Sequence, residues 1–496
     1  MATWGPARGG GRDSGMSHEA FIKARLHGGG ELLFHSEPLA SGGEKVVFKS
    51  KEGGHVVGFF FGQLDDRLDR MRRLEKIIGS YNPTTSGAQA EHWLKHFCWP
   101  LGIVDGAENR FPADWLRRHN LHAPVLGVVT PVYRPNFFFR DRTGEMREKK
   151  GKWFTGTKAR RLLPESEKGD FLRYLQVCSV MASAVRRLHY AGLAHADLSH
   201  NNVLIDPKGG DACVIDIDSL VVPGLAPPTV LGTPGYIAPE VVAGKKLPSI
   251  ETDQHALAVL LYETLLQRHP LHGPKIHTTR SAEEDDLLMM GARALYIEHP
   301  TDRSNYPKQP LAVPARRLGP YLDRLFQKTF VEGLHHPAKR ATAMEWEKGL
   351  SKTFDLLHPS PEGGEWFVLD RNLPLACPHS GRPLGQPVPY VDFYRETSAG
   401  SYSDENHSLT IWNGLYLYKW HTFANVSPHD GDRTPQAYFT FHNRRWFLVN
   451  QSGADMWVAD GEYVRHGAAV QITQGMKLVF SLEPNGRLGV FNFMKP

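Results

Sequence analysis

At 496 residues the chain is too long for one ordinary domain, so two or three globular units are expected. A hydrophobic fraction of 41 % beside 22 % charged residues reads as soluble and globular, and a net charge of +5 is too small to mark the concentrated basic face of a nucleic-acid binder. Four scattered cysteines without paired spacing (Cys98, Cys178, Cys213, Cys377) argue against a disulfide framework and fit a reducing, cytoplasmic setting, and no apolar stretch approaches the ~20 residues that span a bilayer.

In chain order, the Gly- and Arg-rich start has no apolar run of the signal-peptide kind, and residues 1–28 are expected to be a disordered tail. "ELLFHSEPLASGGEKVVFKSKEGGHVVGFFFG" alternates apolar runs with Gly-Gly turns, the pattern of consecutive hairpin strands. A charged helix over Leu64 to Ile78, an irregular Trp99-Pro100 segment and a buried strand over Val125 to Val132 follow. Residues 140–161 are strongly basic and read either as a solvated loop or as a docking surface. Asp170 to Tyr190 predicts a helix with Leu172, Leu175, Cys178, Ala182, Val185 and Leu188 on one face, and further helices are expected over Asp253–Leu266, Pro320–Phe330 and Ala343–Phe354. "HPSPEGGEW" marks a domain boundary near 358–365, after which short alternating strands with Gly, Asn and Asp turns suggest a small β-sandwich.

The chemistry concentrates in "LAHADLSHNNVLIDPKGGDACVIDIDSL", where Asp197 stands five residues before Asn202 and Asp216 follows a Gly-Gly turn. Phosphoryl transfer needs a carboxylate to orient a hydroxyl and take its proton, and oxygen ligands for the divalent cation that bridges the phosphates. A tight loop carrying Asp197 and Asn202, facing a strand end with Asp216, provides those groups at one point.

This segment resembles the protein-kinase catalytic loop H-R-D-x-x-x-x-N followed by D-F-G. By that resemblance Asp197 is the base, Asn202 and Asp216 are the Mg²⁺ ligands, and Leu204 lies beneath the adenine of ATP. "GTPGYIAPE" is similar to the kinase P+1 loop and A-P-E motif, placing Thr233 at the substrate. Asp253 matches the residue that anchors the catalytic-loop backbone, and Arg340 the partner of the A-P-E acid, here Glu240.

Four departures stand out. The strand that should carry the phosphate-binding Lys is "HVVGFFFG", with Phe59 or Phe60 at the expected position, whereas Lys45 lies in the glycine loop with Gly42 and Gly43. With-no-lysine kinases carry their Lys on this neighbouring strand. By the strand period of two, Lys45 and Val47 share a face, so Lys45 either reaches the phosphates above an adenine covered by Val47 or is a solvated hairpin residue. Ala196 replaces the Arg that binds a phosphorylated activation loop, so that switch is not expected, although Ser219 and Thr229 stand as sites. Ser199 replaces a Lys that touches the γ-phosphate, which implies slow turnover. Asp218 replaces the Gly of D-F-G and is either an extra metal ligand or a turn residue. Glu75 is the candidate helix partner of Lys45, or else a solvated helical acid.

Residues 30–356 together resemble a bacterial group of eukaryotic-like kinases associated with a metal-dependent Ser/Thr phosphatase and a von Willebrand-type protein, including in tellurite-resistance clusters. "RRWFLVNQS" and its surroundings are similar to the second half of a forkhead-associated (FHA) domain, with Asn450 and Ser452 at the N-x-S turn and Thr434 in place of a phosphothreonine-binding Ser. One Cys and one His around Cys377 cannot fill a tetrahedral zinc site, so no zinc is expected.

The expectation is an α+β two-lobed protein-kinase-like fold followed by a small all-β sandwich: tail 1–28, upper lobe 29–134, lower lobe 135–356, linker 357–385, FHA-like unit 386–496. The implied activity is ATP-dependent Ser/Thr phosphorylation of a protein, autophosphorylation included, with Mg²⁺, or Mn²⁺ in its place. The competing classes are a pseudokinase scaffold and, disfavoured by the P+1 loop, a small-molecule kinase. No nucleic-acid or membrane partner is implied.

Overall fold

The computed structural model describes residues 21–85, 87–229, 232–276, 282–378, 380–398, 400–428, 432–459 and 461–494. The chain divides into two compact units, one of residues 1–313 with 325–347 and one of 314–324 with 348–496.

The first unit opens with a hairpin of Phe21–Arg25 against Glu31–His35. This corrects the expected 1–28 tail from Phe21 onward; residues 1–20 lie outside the described residues. A five-stranded sheet follows, in the spatial order Ala40–Ser41, Lys45–Lys49, His55–Phe60, Leu126–Pro131, Gly102–Asp105. All neighbours are antiparallel. Alternation along Lys45–Lys49 sorts its side chains by face. Val46 and Phe48 turn into an aromatic core with Phe34, Phe59 and Trp115, whose rings stand 5.1–6.0 Å apart, while Lys45 and Val47 point the other way. Helix Arg67–Ile78 packs Met71 and Leu74 against Phe60, and Trp99 donates its indole N–H to the Ile77 carbonyl at 2.9 Å, satisfying an orphan acceptor at the helix end.

The lower part is helical. Phe171–Tyr190 begins at Asp170, whose carboxylate accepts from the Arg173 N–H at 2.9 Å. Of its expected apolar face, Leu175, Cys178, Ala182, Val185 and Leu188 are buried and Leu172 is half-buried. Helix Ile250–Leu266 is buried almost all round, as befits a central helix. The basic stretch is neither a bare loop nor a long element: it forms a hairpin, Phe138–Arg140 with Met146–Glu148, then runs beside the catalytic loop through a Lys150–Leu204 bridge and a Lys152 N–H to His200 carbonyl bond of 3.0 Å.

In the second unit, a six-stranded sheet runs in the order Ser401–Thr410, Val388–Ser398, Arg487–Met494, Lys477–Val479, Met456–Val458, Tyr463–Val464. A four-stranded sheet is ordered Tyr416–Leu417, Ala437–His442, Arg445–Asn450, Ala469–Gln471. One hydrophobic cluster draws Val391, Phe393 and Leu409 from the first sheet and Leu417, Phe439 and Leu448 from the second. The segment expected to be a linker, 357–385, is built structure: Leu357–Pro359 pairs with Trp366–Val368, and Cys377 is fully buried with Phe367, Leu369 and Val388. Its neighbour His379 lies outside the described residues. Apolar side chains in that stretch bury enough surface to hold it despite its Pro and Gly content.

Candidate active site

Residues 193–206 form a loop and strand whose shape is set from a distance. Asp253, 1 % exposed, accepts the His195 N–H at 2.6 Å and the Ala196 N–H at 3.2 Å, and the His195 ring meets the Ile215 carbonyl at 2.9 Å. Ala196 is thereby held at φ +66°, a left-handed conformation that a non-glycine residue adopts at a cost of about 1–3 kcal/mol. Further down, Arg340 grips Glu240 with two bonds of 2.7 Å, its side chain completely buried.

The chemistry-bearing groups meet on this frame. Asn202 donates from Nδ2 to the Asp197 carbonyl at 2.8 Å and to its Oδ2 at 2.9 Å. With the amide nitrogen so engaged, the amide oxygen is the atom a hard cation takes. The Thr233 hydroxyl donates to Asp197 Oδ1 at 2.7 Å and lies 3.1 Å from Ser199 Oγ, so Ser199, fully buried, stands beside the carboxylate where the resemblance implies a lysine. Asp216 follows the strand Asp211–Val214 at φ +62°.

Lys45 reaches this cluster from the upper sheet. Its Nζ lies 3.0 Å from Asp216 Oδ1 and also bonds Asp218 Oδ2. The register explains how: Lys45 pairs directly with Phe60, so the ammonium rises from the strand beside the expected one and crosses the Phe60 ring at 4.8 Å from its centroid. The Lys45 ammonium holds the Asp216 carboxyl down at about 2 despite burial, while burial pushes Asp218 up; the two carboxylates together raise Lys45 against its own burial.

Lys45, Val47, Val56, Gly58, Val128 and Thr130 line a cleft with Asp216, Asp218 and the connecting segment Pro131–Tyr133. An apolar wall on one side and a cation with carboxylates on the other fit a nucleotide with its base in and its phosphates toward Lys45. The oxygen donors of Asn202 and Asp216 fit a hard divalent cation.

Other expected site residues are placed differently. Leu204 is fully buried one layer behind the lining, against Cys98, Tyr133 and Phe137. Gly42 closes the turn before Lys45 through a 2.8 Å bond from its N–H to the Lys45 carbonyl, and Gly43 has open space around it; Leu39 and Ala40 form that wall. Glu75 is not brought to Lys45: its carboxylate bonds the His27 ring at 3.0 Å. Arg73, from the same helix, donates to the Ala226 carbonyl at 3.0 Å and so joins the helix to the stretch after Asp218. In the second unit, Asn450 and Ser452 hold their own turn: Asn450 Nδ2 donates to the Ala454 and Val464 carbonyls at 2.9 and 2.8 Å, and Ser452 Oγ bonds Asn450 Oδ1 at 2.8 Å. Asp218, read as an extra metal ligand or a turn residue, instead bonds Lys45, and Arg73 is not singled out by the sequence; in both cases the partner is distant in the chain.

Residues 152–347 match the protein kinase domain family. Protein kinase C delta type from Mus musculus is 38 % identical over 248 residues, 49 % of this chain and 30 % of that protein. Serine/threonine-protein kinase pkn2 from Myxococcus xanthus is 34 % identical over 111 residues, 21 % of this chain and 13 % of its own length. Atypical protein kinase C from Drosophila melanogaster is 30 % identical over 172 residues, covering 33 % and 27 %. The chain thus spans under a third of the length of these curated relatives. The family match begins at residue 152, after the sheet that carries Lys45. Residues 152–347 carry a protein kinase domain, with serine/threonine kinases, one of them bacterial, among its relatives.

Proposed function

We propose that this protein is an ATP-dependent serine/threonine kinase acting on protein hydroxyls, its own included. The observation that carries this reading is Lys45 Nζ 3.0 Å from Asp216, which restores from a neighbouring strand the cation that Phe60 displaces. Asp197 orients the acceptor hydroxyl and takes its proton, with its carboxylate steered by Thr233 and Asn202. Lys45 presents its charge to the phosphates, and Asn202 and Asp216 hold Mg²⁺. When bound, that cation neutralises charge developing on the transferred group. The Gly232–Glu240 segment, pinned by Arg340, supports a protein rather than a small metabolite as acceptor.

A pseudokinase is the second reading, favoured by Ser199 standing where a phosphate-binding lysine is implied. A radiolabelled ATP assay separates the two: Lys45→Ala and Asp197→Ala lose labelling while Lys49→Ala, whose parent side chain is exposed, retains it. A parent protein with neither labelling nor Mg²⁺-dependent nucleotide binding overturns the kinase reading.

Two sheets sharing one hydrophobic cluster support a sandwich for the second unit, and we read it as a divergent FHA-like module. Thr434 is exposed, and the Arg-x-His that should follow it is absent, so phosphothreonine peptides are expected not to bind in a titration. A cytoplasmic setting, the tellurite-linked bacterial group and its phosphatase and von Willebrand-type partners rest on resemblance alone.

A further inference from the structure

We propose that Asp218 is the positioning residue for Lys45, doing what a glutamate on helix Arg67–Ile78 was expected to do. The inference rests on reading Lys45 as the phosphate-binding cation. A lysine on a flexible stem needs a fixed carboxylate to hold it over a ligand. The acids of the helix are engaged elsewhere: Asp66 bonds Arg70 at 2.9 Å, Asp69 lies 3.5 Å from Arg72, and Glu75 bonds His27. What the helix sets beside Phe60 is a cation, Arg70, whose guanidinium stands 4.8 Å over the ring that Lys45 also crosses.

Asp218 has the opposite properties. Its side chain is 5 % exposed, Oδ2 bonds Lys45 Nζ, and Oδ1 is buried without a hydrogen-bond partner. The left-handed φ of Asp216, followed by the single turn Ile217–Ser219, sets both carboxylates on the same ammonium. Asp216 is also the residue whose oxygen would take the cation. Once it does, Lys45 keeps a carboxylate partner only through Asp218. The orientation of Lys45 is then built into the segment that follows the strand, and it does not depend on where the helix lies. Other charged groups around this cluster include Glu44, the chain neighbour of Lys45, Arg70, Glu148 in the cleft lining and Lys150 near Asp216.

The test has two readouts on the full chain. Without nucleotide, amine-specific reductive methylation of Lys45 is followed by mass spectrometry, with Lys49 as internal reference. Asp218→Asn removes an anion from the ammonium, so Lys45 labelling accelerates about tenfold or more, while Glu75→Gln leaves it unchanged. In the transfer assay, Asp218→Asn raises KM for ATP more than it lowers kcat, Asp218→Glu recovers part of the loss, and Glu75→Gln matches the parent. Thermal melting confirms that each variant is folded. Unchanged Lys45 labelling in Asp218→Asn, or accelerated labelling in Glu75→Gln, overturns the proposal even if the parent is an active kinase. Accelerated labelling in Asp218→Asn with an inactive parent upholds the pairing and sinks the kinase reading instead.

Discussion

The 193–206 loop and the strand bearing Lys45 place their polar groups by different means. In the loop, Asp197, Ser199 and Asn202 lie within six residues, and their spacing is itself a signature. Lys45 lies 171 residues from Asp216, and strand parity alone does not separate it from Lys49 or Lys51; its place in the glycine loop does. Its position follows from register: it pairs with Phe60 on the next strand, about 4.8 Å across the sheet. On the proposed reading, a long flexible side chain is launched from either of two adjacent strands.

The largest expected effect tests the loop. Asp197→Asn should lower phosphoryl transfer by ~10²–10⁴-fold, the usual range for a lost general base, with nucleotide binding retained in a fluorescence titration. The strand side is tested next. Lys45→Met should cost on the order of 10²–10³-fold in kcat, and adding Phe60→Lys should recover on the order of tenfold, about 1.4 kcal/mol of barrier. Failure of that second change to recover anything would break the idea that the two strands are interchangeable.

A third measurement asks how self-sufficient the loop is. Asp253→Ala strands the His195 and Ala196 N–H groups, at about 1–3 kcal/mol each, so a denaturant melt should show a loss of roughly 2–5 kcal/mol together with reduced kcat. The smallest effect concerns His27, whose pKa is raised by its hydrogen bond to Glu108 and the charges of Glu108 and Glu75, against the cost of burial. A raised folded pKa means the contribution is fully present below the ordinary 6.5 and is lost as pH rises through the folded value. His27→Gln should therefore cost on the order of 0.5 kcal/mol at pH 6 and nothing measurable at pH 9, read from melts at both.

Asp253 and Arg340 could be read from sequence because each stands in a motif of its own, and the structure joins them to His195 and Glu240 as expected. Glu75 could not: helical periodicity places it among several polar residues and is silent on whether Lys45 or His27 faces it. The strand Phe21–Arg25 and the buried Cys377 were hidden by glycine- and proline-rich surroundings, since local composition reports chain flexibility and not the partner that suppresses it. Asp218 reads as an extra metal ligand or a turn residue, and its pairing with Lys45 is visible only in the structure.

By itself the sequence determined the residue types of the catalytic loop, the order of its motifs and the alternation that puts Lys45 and Val47 on one face, because each depends on neighbours a few bonds apart. Only the tertiary structure decided which carboxylate holds Lys45, since strand pairing and helix orientation are settled by packing among Phe34, Phe48, Phe59 and Phe60, far from the residues they position.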